Sequence, residues 1–346
     1  MNHSAKGLVA AIFGGALLAL PASAENFDLQ SVYGLQFPAS GQAPVQWAER
    51  VTRSTNGALT FTVHGAGDIV PPFEVFGAVA SGAIPFGYDW TSYWANTVPV
   101  AGLLGGMPFG PDPELHLAWL YNGGGLELIQ RTFDAYNVHV IPCQMLVPEA
   151  GGWFNREINS VADLQGLNMR FAGLGAAIIA RLGVNTMLIP GGEIYVSLER
   201  GRIDATEFSA PTLDVGFGFQ NIAQYYYFPG WHQPSSMNSI TVNLDVWNGL
   251  TGDQQASIED ACYANITQIL AQQVHAQIDA LEMIEAAGVE VRRFPDDVLA
   301  ALREATDAEM AALSANDPLF REAYDSLTAY IARTHRWSEL QQLPRN

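Results

Sequence analysis

The sequence predicts an α/β protein of two lobes that face each other across a cleft, with one unusually long helix toward the C-terminus. The first observation is an internal echo. Residues 74–84 and 193–203 each run an apolar-periodic helix into a Gly two positions before an Ile, and a strand-like stretch follows. A Gly just past a helix end supplies the left-handed turn that stops it. Each strand then delivers a polar cluster, Tyr88-Asp89-Trp90 after the first copy and Glu207-Phe208-Ser209 after the second. Ligands of open α/β sheets sit outside the carboxyl ends of strands, so two such edges make a cleft. The second observation is the alternation of strand and helix patterns through both halves. The third is a run of apolar residues at helical spacing from Thr251 to about Ala287.

Taken in order, residues 26–33 and 59–64 alternate like strands around a helix from about Ala43 to Arg53. Helix 72–81 and strand 83–88 complete a β-α-β-α-β lobe. Residues 91–111 are rich in Gly and Pro and read as irregular, and one helix is expected from about Asp112 to Phe133. Strand 138–142 leaves this lobe. Strand 167–171, a helix to about Leu182, strand 186–189, helix 193–200 and strand 203–208 repeat the plan. Strand 239–243 is expected to rejoin the first lobe. In the long helix, Thr251 is the cap, and Ile258, Ile266, Leu270, Val274, Ile278, Leu281 and Ile284 form one stripe ended by Gly288. Strand 289–292 and helices over about 295–315 and 317–334 finish the chain. No linker is Pro- or Ser-rich, so the lobes interlace: 25–147 with about 235–265 form the first, and 148–234 with about 266–346 the second.

The start of the chain reads as an export signal, with Lys6, an apolar core from Leu8 to Leu20, and cleavage after Ala24 in Ala22-Ser23-Ala24. That core is too short to span a bilayer. The 35 acids against 16 Lys and Arg give a net charge of −19, which argues against nucleic acid and anionic membrane partners. Cys143 and Cys262 enter an oxidising compartment, where they either pair or stay buried and free. The chain has no CxxC, HExxH, GxSxG or Walker pattern, so zinc and the usual hydrolase chemistries have no visible machinery. His232 is the one His in a suggestive neighbourhood.

Three stretches carry a resemblance: Met169 to Gly175, Pro190 to Tyr195 and Gly201 to Phe208. Further matches are Gly151 to Phe154, Gly230 to Pro234 and Ala66 to Pro71. The chain resembles the DctP-type solute-binding proteins of TRAP transporters over essentially its whole mature length. Within them it is most similar to the branch that binds small 2-oxo and 2-hydroxy carboxylates with a bridging metal. The resemblance implies a periplasmic-binding-protein-like fold whose long helix spans both lobes, no enzymatic activity, TRAP membrane permease subunits as partners, and a homodimer built partly on C-terminal helices. It places Arg170 as the carboxylate-binding residue, whose fork suits a carboxylate. It places Glu207 and the backbone carbonyl of Phe208 as metal ligands.

Departures from that branch leave the ligand open. Glu149 stands where relatives carry Gln, Gln233 where they carry Glu, and Tyr88-Asp89-Trp90 where they carry a small polar pair. Asp89, Glu149 and Glu207 against Arg170 leave the cleft with uncompensated negative charge, so something positive must enter. One candidate is a small amine or amino alcohol such as ethanolamine, held by carboxylates and an aromatic face such as Trp90, with no cofactor required. The alternative is a sodium or calcium ion on Glu149, Glu207 and Phe208, assisting a monocarboxylate such as pyruvate or lactate on Arg170. The sequence reading leans to the amine, because Asp89 and Trp90 arrive together. Tyr33 and Trp231 add aromatic walls, with Gln144 and Asn238 as further polar contacts. A secreted enzyme using Glu149 and Glu207 as an acid/base pair is a remote third reading.

Overall fold

The computed structural model describes residues 24–341; apart from Ala24, the expected leader peptide lies outside them. In chain order the elements are β1 (Glu25–Ser31), α1 (Ala43–Ser54), β2 (Leu59–His64), α2 (Val75–Ala80), β3 (Phe86–Trp90), α3 (Val100–Gly105), α4 (Pro113–Asn122), α5 (Gly125–Asp134) and β4 (Val138–Leu146). Next come β5 (Gly152–Phe154), β6 (Asn168–Arg170), α6 (Gly173–Ala180), β7 (Asn185–Met187), α7 (Gly191–Glu199), β8 (Ala205–Thr206), α8 (Pro211–Phe217) and β9 (Tyr225–Phe228). The chain closes with β10 (Ser236–Asn243), α9 (Leu244–Gly249), α10 (Gly252–Ala286), β11 (Glu290–Arg293), α11 (Asp296–Asn316) and α12 (Pro318–Leu340).

Two sheets organise two lobes. The first has the order β2-β1-β3-β10-β4 and the second β11-β9-β5-β8-β6-β7. β10 returns to the first sheet and pairs antiparallel with both β3 and β4, as the apolar run at 239–243 suggests. The internal echo is real in three dimensions. Gly82 and Gly201 adopt left-handed φ angles of 77° and 68° after α2 and α7, a conformation open to Gly at little cost.

Several expected elements differ. The single helix over 112–133 is two, α4 and α5, because Gly124 takes a φ of 82° and breaks the run. Gly152–Phe154 and Tyr225–Phe228, neither expected as a strand, are neighbouring antiparallel strands. α12, expected with the second lobe, packs on α3, α4 and α5 of the first.

The first core packs Trp47 of α1 at a tilt against Phe61 and Phe86 of the sheet, with ring centroids 4.6 and 6.1 Å away. Each fully buried large side chain of this kind contributes about 1.5–3 kcal/mol. Trp47 also donates its indole N–H to the carbonyl of Ile258, which docks α10 on the first lobe. α10 is capped by Thr251 and Gln254, each side chain bonding the other's backbone N–H. Cys143 of β4 and Cys262 of α10 form a disulfide. The predicted stripe holds only in part: Ile258, Ile266 and Ile284 are buried, but Val274 and Ile278 are exposed. A helix that passes from one lobe to the other changes which face is covered along its length. At its far end Gln277 accepts a hydrogen bond from the backbone N–H of Thr212 at the start of α8.

Candidate functional site

Strand register assembles the site. β6 pairs parallel with β8, setting Arg170 opposite Thr206, so the next residue, Glu207, leaves the sheet edge beside the guanidinium. Arg170 Nη1 donates to Glu207 Oε1 at 2.6 Å and to the Glu207 carbonyl at 2.8 Å, while Nε donates to the Ile189 carbonyl. Glu207 Oε1 also accepts the backbone N–H of Ala172 at 2.7 Å. Glu207 Oε2 lies 3.5 Å from His232 Nε2.

Glu149 reaches the same point from the β4–β5 connection. Its N–H donates to the Gln233 carbonyl and that of Ala150 to the Ser209 carbonyl, which ties the three site segments together by backbone alone. Gly230 permits the approach, since a Cβ there would stand 2.1 Å from the Glu149 carbonyl oxygen. Glu149 Oε2 lies 3.4 Å from His232 Nε2. At these ion-pair distances the groups are not aligned as hydrogen bonds, and both His232 Nε2 and Glu149 Oε2 remain without a hydrogen-bond partner.

Glu149, Glu207 and His232 present ligand atoms that all lie within 4.8 Å of one another, and all three residues are buried. Burial pushes the Glu149 carboxyl up to about 7, an effect that His232 partly opposes. Burial acts most strongly on Glu207 and would raise it, but Arg170, His232 and the Ala172 N–H together outweigh burial and hold that carboxyl below its ordinary value. For His232, burial disfavours the charged ring, yet the two carboxylates prevail and raise it to about 9.

Glu149, Glu207 and Arg170 open on a small, closed-in cavity. Of the residues singled out from sequence, Tyr33, Trp90, Glu149, Arg170, Glu207, Phe208 and Gln233 line it. The guanidinium carbon of Arg170 sits 5.2 Å from the centroid of the Phe208 ring, so that aromatic face already holds a cation.

Five of the expected residues do not line the cavity. Asp89 turns away from it and accepts the indole N–H of Trp94 at 2.8 Å, because neighbouring strand residues face opposite sides. Tyr88 lies behind the wall and donates to Gln144. Trp231 packs on Phe171 and borders a different cavity. Gln144 and Asn238 sit behind the wall too, where Asn238 Oδ1 accepts the Tyr33 hydroxyl at 3.1 Å and its Nδ2 donates to Gln144 Oε1 at 2.8 Å.

His232 and Tyr93 are the important additions. The Trp-His pattern marks His232, but no local signal shows that it faces two carboxylates. Tyr93 lines the cavity close enough to Arg170 for the guanidinium to offset part of the rise that burial gives its hydroxyl pKa. With Asp89 out of the cavity wall and His232 beside the two carboxylates, the negative excess is smaller than the sequence suggests, and the Asp89–Trp90 pairing that favours an amine is gone.

The inner cavity continues into an outer one of about 1040 Å3, which shares Tyr33, Tyr93 and Phe208 with it. There Phe37 of the first lobe stacks on Phe217 of the second, with centroids 3.9 Å apart and planes at 16°.

The family model for bacterial extracellular solute-binding protein family 7, DctP, matches residues 32–317. The chain belongs to the DctP family. It is therefore a solute-binding protein of the TRAP type, and that family acts in transport with membrane permease subunits. DctP relatives include the monocarboxylate 2-oxoacid-binding periplasmic protein of Nostoc sp., 35% identical over 86% of this chain and 81% of that protein. A TRAP periplasmic solute-binding protein of Colwellia psychrerythraea with bound calcium and pyruvate superposes with a TM-score of 0.88. It is 33% identical and covers 92% of this chain and 97% of its own. Its counterpart from Pseudoalteromonas atlantica, with bound sodium and pyruvate, has a TM-score of 0.88 and 31% identity over the same shares. A Bordetella bronchiseptica protein, a dimer with calcium and picolinate in its active site, reaches 0.90 at 29% identity, covering 92% of this chain and 95% of its own.

The residues present here fit a hard cation. Two carboxylates converge, one buried oxygen of Glu149 is without a partner, and Gln233 and Phe208 add oxygen donors to the cavity wall. Oxygen ligands of this kind suit calcium or sodium.

Proposed function

We propose that this chain is the extracytoplasmic receptor of a TRAP transporter and captures a small 2-oxo or 2-hydroxy monocarboxylate, such as pyruvate or lactate, together with a hard cation. The observation that carries this reading is the convergence of Glu149, Glu207 and His232 beside Arg170 on a small buried cavity. The cation would sit on Glu149, Glu207 and the backbone carbonyl of Phe208, where it supplies a positive centre for the ligand's carboxylate and neighbouring oxygen. Arg170 would orient the ligand carboxylate with the N–H groups that Glu207 and Ile189 leave free. Glu207 holds Arg170 in place through side chain and backbone alike. Tyr33, Trp90 and Phe208 would exclude water. The relatives that bind pyruvate with calcium or sodium support this over an amine, as does the absence of Asp89 from the cavity wall.

In this reading the protein hands its ligand to membrane permease subunits unchanged, and the C-terminal helices offer a surface for a second copy. Isothermal titration of the purified mature chain with pyruvate, lactate and ethanolamine, in calcium and in EDTA, tests the assignment. Pyruvate or lactate should bind at least tenfold more tightly in calcium. Ethanolamine binding that ignores EDTA would reject the proposal.

A further inference from the structure

A larger cavity lies outside the cleft, where the β4–β5 and β9–β10 connections meet α10 and α11. It holds about 1390 Å3 of space, open on one side. Val147, Pro211, Val274, Leu281 and Leu299 give it an apolar wall, closed by Phe109 and Trp231. Two guanidinium groups also line it, those of Arg293 and Arg303. Neither makes an ion pair among the described residues, so both guanidinium charges are free to meet an anion. Arg303 is held with its guanidinium carbon 4.0 Å from the centroid of the Phe109 ring.

Two donors in the same wall have no acceptor. Trp231 is 2% exposed, and its indole N–H makes no hydrogen bond. The amide nitrogen of Gln277 is likewise buried and unpartnered. Buried N–H groups without acceptors are rare and mark a missing partner. Glu149 borders this cavity and the inner one, but its carboxylate lies 3.4 Å from His232 on the cleft side. The polar groups of the cavity are thus donors and cations set in an apolar wall. That combination fits an anion carried on an apolar body, and the space is several times that of the inner cavity.

We propose that this cavity is a second ligand site, taking an amphipathic carboxylate such as a medium-chain alkyl acid. The head group meets Arg293, Arg303 and the orphan N–H of Trp231, and the chain lies along Val274, Leu281 and Leu299. The site is distinct from the cleft and stands whether or not the cleft takes a 2-oxo acid.

Isothermal titration of the mature chain with decanoate, octanoate and decylammonium tests it, alongside sedimentation to report the oligomeric state. Decanoate should bind about tenfold more tightly than octanoate, since each methylene is worth about a factor of three to four. Decylammonium should bind at least tenfold more weakly. Arg293→Ala with Arg303→Ala should weaken decanoate at least tenfold while the thermal transition stays in place, because both side chains are exposed. Saturating pyruvate with calcium should leave decanoate binding unchanged. The proposal is overturned if pyruvate with calcium displaces decanoate, if decylammonium binds as well as decanoate, or if the double variant binds normally. A dimer that covers the groove and admits no decanoate overturns it as well.

Discussion

Arg170 grips Glu207 twice through one nitrogen, Nη1 lying 2.6 Å from the side-chain oxygen and 2.8 Å from the backbone carbonyl. Both side chains are 1% exposed. Removing one member of such a pair strands the other's charge away from water, at a cost of about 3–5 kcal/mol. Arg170→Met and Glu207→Leu should each lower the urea midpoint accordingly, and the double variant should recover most of the loss without recovering ligand binding. A single-variant cost below about 1 kcal/mol would contradict the arrangement.

Glu149 is buried beside His232, and its Oε2 has no hydrogen-bond partner. If it holds the cation, Glu149→Gln should shift the calcium concentration needed for half-maximal thermal stabilisation in pyruvate upward by tenfold or more. An unchanged calcium response would remove Glu149 from the ligand set.

Burial lifts the Asp89 carboxyl to about 7, against about 3.9 in an unfolded chain. Between those values folding takes up a proton, so Asp89 weakens the fold progressively as pH rises from about 4 to about 7, and by a constant amount above that. Asn in its place keeps an acceptor for Trp94. Asp89→Asn should raise the melting temperature by a few degrees at pH 8, with the gain vanishing by about pH 4.5. Equal gains at both values would refute the assignment.

The disulfide closes a loop between residues 119 apart in sequence, in the range where removing a native bridge costs about 2–5 kcal/mol. The Cys143→Ala, Cys262→Ala double variant should lose that much in urea unfolding, and dithiothreitol should reproduce the loss in the parent chain.

Phe37 and Phe217 touch across the lobes at the cavity mouth without lining the inner cavity. An aromatic pair contributes about 0.5–1.5 kcal/mol beyond its area. Phe217→Ala should therefore speed ligand release by roughly two- to tenfold in stopped-flow while association changes little. A slower association with unchanged release would assign the pair a different role.

Much of this was legible in the chain. The paired Gly-x-Ile endings located both lobes because a left-handed turn leaves a chemical trace, and Arg170 and Glu207 could be placed by motif because strand register brings them together. What escaped was set by long-range packing. Nothing local to Asp89 says that Trp94 captures it, and nothing local to His232 says that two carboxylates surround it. Those two omissions made the cleft look more negative than it is and favoured an amine. The exposed Val274 and Ile278 mislead in the same way, since periodicity reports a helix but not which of its faces a neighbour will cover.

The 35-residue helix α10 extends about 50 Å at 1.5 Å per residue, and its ends answer to different lobes. The Cys262 bridge and the Trp47 bond to Ile258 bolt one end to the first lobe, and Gln277 is bonded to the second. Gln273 also donates to the Met145 carbonyl of β4, so the first-lobe clamp runs to within about one turn of Gln277. If the lobes part while these attachments hold, the stretch between Gln273 and Gln277 has to flex. Ligand-free protein should then exchange backbone amide hydrogens in this stretch faster than the loaded form, whereas identical exchange in both would place the flexure elsewhere.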